Sequence, residues 1–210
     1  MRVLIPVKPL RAAKTRLNPL LTPEERAELS LWMLHRVLRS CREAGLSEVY
    51  VVGGDERIAE LSRRYGAGLL PELGGDLNQT LGKTLTLVRG AGTCLLVAAD
   101  LPLLRPEDLL RLIRPWQARG AAALAPSRDG GTNALLLPPR CPFAPAFGPG
   151  SAERHRRRLT AAGVVVEEVR TLGLLHDVDR FEDLSEAVRS LPGFPLPGLP
   201  ACGKAVVESP

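Results

Sequence analysis

Thr93-Cys94-Leu95-Leu96-Val97-Ala98-Ala99-Asp100 is the stretch that decides the fold, because it is nearly continuous in apolar residues and ends in a carboxylate. A strand of a parallel sheet that is covered on both faces is apolar at almost every position, whereas a half-exposed strand alternates. We therefore predict that residues 93–99 form a central strand, with Asp100 at its carboxyl end.

Predicted strands and helices alternate on both sides of this run. The other strands are residues 3–7, 48–52, 68–70, 121–125, 133–137 and 164–169, and the helices are residues 55–65, 79–89, 106–120 and 181–190, with two more beginning at Thr22 and Ser151. Thr22-Pro23-Glu24-Glu25 combines a capping box with proline at the first helical position. This alternation predicts a single α/β domain over residues 1–190, with a Rossmann-like, mostly parallel sheet and helices on both faces. Residues 191–210, rich in proline and glycine, are predicted to be a surface strap or a disordered tail.

Composition excludes several classes of protein. The 210 residues are 45% hydrophobic and 24% charged, as in a soluble globular domain. The net charge is only +5 and aromatic residues are 4%, which argues against a nucleic-acid-binding face with stacking aromatics. Neither a signal peptide nor an apolar run approaching ~18 residues is present, so we expect a cytoplasmic protein that binds no membrane. The scattered cysteines, without a C-x-x-C pair, argue against a zinc site or a disulfide framework.

A basic loop follows the first predicted strand. Four cations, Lys8, Arg11, Lys14 and Arg16, stand within residues 6–17. In open α/β sheets ligands bind outside the carboxyl ends of the strands, so this loop is suited to a triphosphate. The Walker sequence G-x-x-x-x-G-K-[ST] is absent. From composition alone, a solvated basic loop explains the same residues equally well.

Three aspartates are candidate metal ligands. Asp100 ends the central strand before a rigid Leu-Pro turn, and alternation in an extended segment would point Asp177 and Asp179 to the same side. Mg²⁺ binds one or two carboxylates together with substrate phosphates. The alternatives are a turn or N-cap role for Asp100, and a cap on the following helix for Asp177 or Asp179, which is the commoner role for either one taken alone.

Two glycine-rich turns could hold an anion. Residues 128–133 and 147–151 each place glycine beside a hydroxyl or an amide, so that backbone N–H groups can approach a ligand. Ser151 also stands at a predicted helix N-terminus, where a phosphate is readily bound. Arg154 and His155 lie one turn further on, but an exposed helix face is the favoured interpretation for them. No Ser-His-Asp or Cys-His arrangement can be defended.

These motifs occur in an order that resembles one known family. PVKPLRAAKTRL, GGDLNQTL, AADLPLL, RDGGTNALLL, FGPGSAERH and HDVDRFEDL, spread over about residues 1–190, resemble the 2-phospho-L-lactate / phosphoenolpyruvate guanylyltransferases of deazaflavin coenzyme F-420 biosynthesis. That family is similar in fold to the molybdenum-cofactor guanylyltransferases and to sugar-phosphate nucleotidyltransferases. FGPGSAERH and GGTNALLL are fairly specific, whereas DLPLL is shared by many relatives.

The resemblance implies a role for each candidate residue. It implies that Asp100 and Asp177 bind Mg²⁺, with Asp179 as a third candidate ligand, and that Lys8, Lys14 and Arg16 act with Asp100 in catalysis. By residue, the implied nucleotide contacts are Pro6, Val7, Lys8, Lys14, Arg16, Gly75 and Asn78, and the implied contacts to the phosphorylated acid are Thr132, Asn133, Gly148 and Ser151. Family members vary in the glycine-threonine turn, so Thr132 and Asn133 are alternatives.

The implied reaction transfers GMP from GTP to phosphoenolpyruvate or 2-phospho-L-lactate and releases pyrophosphate. Because two polyanions must be brought together, cations and a metal ion would supply most of the catalysis. The SAERH stretch resembles the bacterial branch of the family, and this resemblance implies phosphoenolpyruvate as the acceptor. The alternatives are a nucleotidyltransferase with another phosphorylated acceptor, or a non-catalytic nucleotide-binding regulator, against which the basic loop and the aspartates argue. Whether the chain forms a homodimer is left open.

Overall fold

A seven-stranded sheet in the order β3-β2-β1-β4-β6-β5-β7 forms the centre of the protein. The computed structural model describes residues 1–18, 20–88, 90, 92–191 and 194. The strands are β1 (Arg2–Val7), β2 (Glu48–Gly53), β3 (Gly68–Leu70), β4 (Cys94–Val97), β5 (Ala122–Pro126), β6 (Thr132–Leu137) and β7 (Val166–Glu168). The predicted central strand is confirmed: β4 is buried at every position and pairs in parallel with β1.

The sheet is mostly parallel, as predicted, and β6 is the antiparallel member among the described strands. β1 pairs in parallel with β2 and β4, β2 with β3, and β5 with β7, while β6 runs antiparallel to both β4 and β5. A short glycine turn joins β5 to β6, and such a connection can only join antiparallel neighbours. This hairpin brings Thr132 and Asn133 next to the carboxyl end of β4, where the backbone N–H of Ala98 donates to the carbonyl of Asn133 at 2.8 Å.

Helices cover both faces of the sheet. They are α1 (Pro23–Glu43), α2 (Glu56–Arg64), α3 (Leu77–Val88), α4 (Pro106–Arg119), α5 (Ser151–Ala161), α6 (Leu172–Leu175) and α7 (Phe181–Ser190). The predicted capping box is present, since the Thr22 hydroxyl accepts from Glu25 N at 3.2 Å and the Glu25 carboxylate accepts from Thr22 N at 2.8 Å. Within the described ranges, no helix is both long enough and apolar enough to cross a membrane.

Two apolar cores lie on opposite faces of the sheet. Along β4, Leu95 and Val97 join the core under α1, α2 and α4, whereas Cys94 and Leu96 join the core under α3 and α5. Successive side chains of a strand point to opposite faces, so both faces of β4 must be apolar. The continuous apolar run in the sequence therefore has its cause in this double coverage.

A few elements differ from their predicted bounds. The helix predicted to begin at residue 79 begins at Leu77, because the Asp76 carboxylate accepts from Gln79 N at 2.8 Å and Asp76 thus precedes the helix. The short helix α6 was not predicted. Of the tail, Leu191 and Phe194 are described: Phe194 is buried and packs edge-on to Trp32, with ring centroids 4.8 Å apart. The prediction for residues 192–193 and 195–210 lies outside the described residues.

Candidate active site

A cavity of about 580 Å³ opens at the carboxyl ends of β1 and β4, where the sequence placed it. The loops after these strands contribute the largest share of its lining, and α1, β2, α3, the β6 hairpin, the loop before α5 and Asp179 also contribute. The predicted site residues that line it are Pro6, Val7, Lys8, Lys14, Arg16, Asp100, Thr132, Asn133, Gly148 and Asp179. Of the remaining predicted residues, Gly75, Asn78, Ser151 and Asp177 do not line the cavity.

The basic loop is held against the protein by its own apolar residues. Leu10 and Leu17 are buried within two short 3-10 turns, and Leu10 N donates to the Asp55 carboxylate at 2.8 Å. Asp55 also caps α2 by accepting from Ile58 N, so one carboxylate ties the loop to a helix N-terminus. Lys14 has a positive φ of 50°, which costs energy for a residue other than glycine and is typical of functional sites.

Lys14 forms the centre of an ionic cluster. Its ammonium lies 2.5 Å from the Asp100 carboxylate and 2.9 Å from Asp179, and its side chain is only 8% exposed. Burial lowers the pKa of Lys14, but the carboxylates of Asp100 and Asp179 raise it by more, so its net pKa lies above the usual value. The interpretation of the loop as merely solvated is therefore wrong for Lys14, whereas Arg16, 60% exposed and 3.3 Å from Asp179, keeps most of its contact with solvent.

Asp177 lies behind this cluster in a different electrostatic setting. It accepts a hydrogen bond from the Asn133 amide at 3.0 Å, and no cation is paired with it among the ion pairs of the described chain. Burial, and then the neighbouring charge of Asp100, raise the pKa of Asp177 to about 6. Asp179 differs: burial raises its pKa, but Lys14, Arg16 and Lys8 together lower it below the ordinary value.

The capping alternative for Asp177 and Asp179 is wrong. The N-cap residue of α7 is instead Arg180, and Asp183 in the first turn of the helix accepts from the backbone N–H groups of Asp179 at 3.0 Å and Arg180 at 2.8 Å. Asp100 likewise has a different partner from the one expected of a turn aspartate, because its carboxylate is bound to Lys14. Asp100 and Asp179 therefore lie at the cavity bound to Lys14, and Asp177 lies outside its lining, bound to Asn133.

The protein supplies only some of the ligands that a magnesium ion needs. Within the described part of the chain, no three His, Cys, Asp or Glu side chains come together as a metal-binding group. Asp100 and Asp177 are nevertheless close enough for one charge to raise the pKa of the other. Two like charges in a partly buried site favour a cation between them, and Mg²⁺ usually takes only one or two carboxylates, with phosphates and water completing the shell.

The part of the cavity near Thr132, Gly148 and the start of α5 is neutral, in contrast to the ionic cluster around Lys14. Thr132 and Gly148 line the cavity, while Ser151 is fully buried behind them. The Ser151 hydroxyl donates to the Thr132 hydroxyl at 3.0 Å, and Ser151 N donates to the Gly148 carbonyl at 3.0 Å. The first N–H groups of α5 are therefore used inside the protein, because Ala152 N also donates to the Gly130 carbonyl at 3.1 Å. A direct contact between Ser151 and a ligand stays a prediction.

The expected exposed face of α5 is wrong at one position. His155 is fully buried, and its ring lies 3.0 Å from the Thr132 hydroxyl through Nδ1 and 3.0 Å from Ala146 N through Nε2. A sequence signal for this existed: Ser151, Ala152, His155 and Leu159 repeat at helical spacing and are the buried face of α5. Arg154 does lie on the surface, where its guanidinium donates to the Pro149 and Ala146 carbonyls.

The loop expected to face the nucleoside contributes to the cavity through different residues. The Asn78 amide accepts from Phe147 N at 2.7 Å and donates to the Phe147 carbonyl at 3.2 Å, so it positions the loop that carries Gly148. Leu77 and Thr80 from the same motif line the cavity instead. The buried Thr80 hydroxyl has no hydrogen-bond partner within the described residues.

Comparisons with known proteins identify the family and relatives of this chain. The family described as CofC-like guanylyl transferases matches residues 1–189. A phosphoenolpyruvate guanylyltransferase from Rubrobacter xylanophilus is 40% identical over 184 residues, which cover 86% of this chain and 90% of the relative. A 2-phospho-L-lactate guanylyltransferase from Methanocaldococcus infernus is 37% identical over 137 residues, which cover 65% of this chain and 61% of that one.

The fold also has solved counterparts. A crystal structure from Desulfovibrio desulfuricans, assigned as a nucleotide-diphospho-sugar transferase, superposes with a TM-score of 0.71 at 18% identity, covering 90% of this chain and 88% of that chain. At this identity the likeness shows the fold alone.

Proposed function

The chain belongs to the family of CofC-like guanylyl transferases and is a nucleotidyltransferase, and we propose that it transfers GMP from GTP to phosphoenolpyruvate. The observation that carries this proposal is the composition of one cavity. Its lining combines a buried lysine and a strand-end aspartate, Lys14 and Asp100, with the neutral hydroxyl of Thr132. Such a site can hold a triphosphate and a second, smaller anion together.

The proposed chemistry exchanges one P–O bond for another. A phosphate oxygen of the acceptor attacks the α-phosphorus of GTP, and the bond from that phosphorus to the bridging oxygen of the leaving pyrophosphate breaks. The acceptor phosphate is already anionic at neutral pH, since the second pKa of such monoesters is about 6, so the chain need not supply a general base. The products are pyrophosphate and a phosphoanhydride that joins GMP to the acid.

The chain's own residues would position the two anions and neutralise their charge. Lys14 and Arg16, with Lys8 on the same cavity, would bind the triphosphate. Their role is electrostatic, because phosphoryl and nucleotidyl transfer need positioning and charge neutralisation more than acid–base help. Asp100 and Asp177 would hold Mg²⁺, which when bound supplies further neutralisation of phosphate charge. On the nucleoside side, Thr80, whose hydroxyl has no hydrogen-bond partner among the described residues, is a better candidate than Asn78, whose amide is occupied by Phe147.

The choice of acceptor rests on the relatives. The relative with 40% identity is named for phosphoenolpyruvate, and the one named for 2-phospho-L-lactate matches a shorter part of this chain. Both acids carry a carboxylate next to a phosphate, so 2-phospho-L-lactate is the second candidate. Either product would serve the biosynthesis of a deazaflavin coenzyme of the F-420 type.

The decisive experiment measures pyrophosphate release with each of the four NTPs against a panel of phosphorylated acids and sugar phosphates. We expect GTP with phosphoenolpyruvate to give the highest kcat/KM, and mass spectrometry to find the enolpyruvyl-diphospho-guanosine product. Mg²⁺ is titrated in the same assay, with EDTA as the control. Faster turnover with a sugar phosphate, or with another base than guanine, would contradict the proposal, and no turnover with any pair would favour a binding role.

A further inference from the structure

A buried hydrogen-bond network lies directly behind the cavity wall at Thr132. The Thr132 hydroxyl lies 3.0 Å from the Ser151 hydroxyl and 3.0 Å from His155 Nδ1, and His155 Nε2 lies 3.0 Å from Ala146 N. Ser151 and His155 are both fully buried, whereas Thr132 lines the cavity. Thr132 is thus the point at which this network reaches a ligand.

The backbone of Ala146 determines which ring nitrogen of His155 carries the proton. A backbone N–H can only donate, so Nε2 must accept and cannot be protonated. In a neutral imidazole the proton then stands on Nδ1, and Nδ1–H donates to the Thr132 hydroxyl oxygen. An imidazolium would place a second N–H against that of Ala146, so the contact itself disfavours the charged form.

The surroundings of the ring keep it neutral as well. The rings of Phe143 and Phe147 pack against His155 with centroids 5.2 and 4.7 Å away, and they separate it from water. Burial, and then the nearby charges of Arg158 and Arg154, lower the pKa of His155 to about 4. The tautomer is therefore constant over the physiological pH range.

Two donors occupy the acceptor positions of the Thr132 oxygen. Ser151 is fully buried and its hydroxyl has Thr132 as its described partner, so donating to Thr132 is the only way for it to satisfy its own proton. With Ser151 and His155 both donating, the oxygen has no lone pair left to accept from a ligand. Its own proton is then free to be donated, and Thr132 lines the cavity.

We propose that His155 is a positioning residue that, with Ser151, makes the Thr132 hydroxyl an obligate donor towards the anionic acceptor substrate. This inference rests on the proposed function, and it adds a reason for acceptor specificity. An obligate donor forms a hydrogen bond to a carboxylate or phosphate oxygen of the acid, and it forms none with a group that can only donate. Preorganising this donor before binding removes the cost of reorienting it in the complex.

Two isosteric variants separate this role from simple packing. In His155→Gln the carboxamide oxygen can replace Nε2 and accept from Ala146 N, but the donor to Thr132 is lost. In His155→Asn the amide NH₂ can replace Nδ1–H and donate to Thr132, but the contact to Ala146 is lost. We expect His155→Gln to raise the KM for phosphoenolpyruvate roughly tenfold or more with little change in the KM for GTP, and His155→Asn to stay closer to the original protein.

A double-mutant cycle with Thr132→Val tests whether His155 acts through Thr132. Once the hydroxyl is absent, His155→Gln should raise the acceptor KM no further, because the effects of residues that act as a unit are not additive. Equal losses for Gln and Asn in the KM values of both substrates, or additive losses in the cycle, would overturn the proposal.

NMR of the substrate-free protein tests the protonation of the His155 ring directly, and the result depends neither on activity nor on the folding of the variants. In ¹⁵N-histidine-labelled protein, NMR should show a neutral His155 ring protonated on Nδ1 at pH 7, assigned by its absence in His155→Gln or by elimination among the three histidines. A ring protonated on Nε2, or on both nitrogens, would contradict the proposal that His155 donates to Thr132 through Nδ1–H. If phosphoenolpyruvate and GTP yield no product while NMR shows the Nδ1–H form, the proposed function fails and the donor geometry at Thr132 stands.

Discussion

The two polar regions of the cavity are organised in opposite ways. Around Lys14 the contacts are ionic, with carboxylates of Asp100 and Asp179 at 2.5 and 2.9 Å from one ammonium. Around Thr132 the contacts are neutral, with a hydroxyl and an imidazole at 3.0 Å each. Ionic partners can be exchanged for a phosphate or a metal ion, whereas a neutral buried network holds one arrangement. The first region is built to rearrange around a polyanion, and the second is built to present a donor that is already oriented.

The largest effect is expected from removing the charge of Asp100. Asp100→Asn keeps the shape but loses the anion that pairs with Lys14 and that would bind Mg²⁺, so kcat should fall by roughly a hundred- to a thousandfold, as for other groups that stabilise charge in the transition state. Steady-state kinetics with a Mg²⁺ titration checks this, and circular dichroism checks that the fold is kept. Near-normal turnover of the variant at limiting Mg²⁺ would show that Asp100 does not bind the metal ion.

The next effect tests the cation of the same region. Lys14→Ala should raise the KM for GTP more than that for the acceptor, by roughly ten- to a hundredfold for a lost bond to a charged group. Arg11→Ala is the matched control, because Arg11 belongs to the same loop but is exposed and does not line the cavity. If both variants saturate with GTP alike, the loop has no specific role in binding the triphosphate.

The carboxylates of Asp177 and Asp179 should affect stability with opposite signs. The pKa of Asp177 is raised to about 6, so its contribution to stability is present at low pH and is lost as pH rises towards 6. The pKa of Asp179 is lowered, so its contribution is present at neutral pH and is lost on acidification. Without metal at pH 7, Asp177→Asn should therefore stabilise the protein, on the order of 1 to 3 kcal/mol, while it reduces turnover.

Thermal unfolding in EDTA at pH 4.5 and 7 distinguishes the two variants. The gain in thermal stability from Asp177→Asn should be larger at pH 7 than at pH 4.5. The asparagine carbonyl can still accept from Asn133, so only the charge is lost. Asp179→Asn should be destabilised at pH 7 and less so in acid. The same sign for both variants at pH 7 would show that the two carboxylates are not in different electrostatic settings.

The smallest effect is expected in the neutral region. Ser151→Ala removes one buried donor to Thr132 and should raise the acceptor KM only a few-fold, roughly the worth of one neutral hydrogen bond, with GTP saturation unchanged. Initial rates with each substrate varied in turn measure this. An effect on GTP saturation with the acceptor spared would place Ser151 on the nucleotide side of the cavity.

The sequence predicted the architecture where local chemistry is sufficient. The apolar run at residues 93–99 required a strand covered on both faces, and Thr22 with Glu25 required a helix start, since both patterns have one low-energy outcome. The basic loop and Asp100 were placed at the cavity because they directly follow strands of a parallel sheet. The arginine neighbours of His155 predict an exposed face, and this prediction is wrong, although the helical spacing of Ser151, His155 and Leu159 in the sequence already indicates a buried face.

The sequence by itself therefore determined the α/β order, the capping box at Thr22 and the strand ends that carry charged residues, because each follows from neighbours along the chain. Only the tertiary structure decided the partners. Lys14 and Asp179 are 165 residues apart and His155 and Thr132 are 23 apart, yet each pair is in hydrogen-bond contact. Hydrogen bonds and pKa shifts depend on distances of a few ångströms between segments that the chain brings together only when the sheet is complete. That is why Asp177 and Asp179, two positions apart, have pKa values shifted in opposite directions.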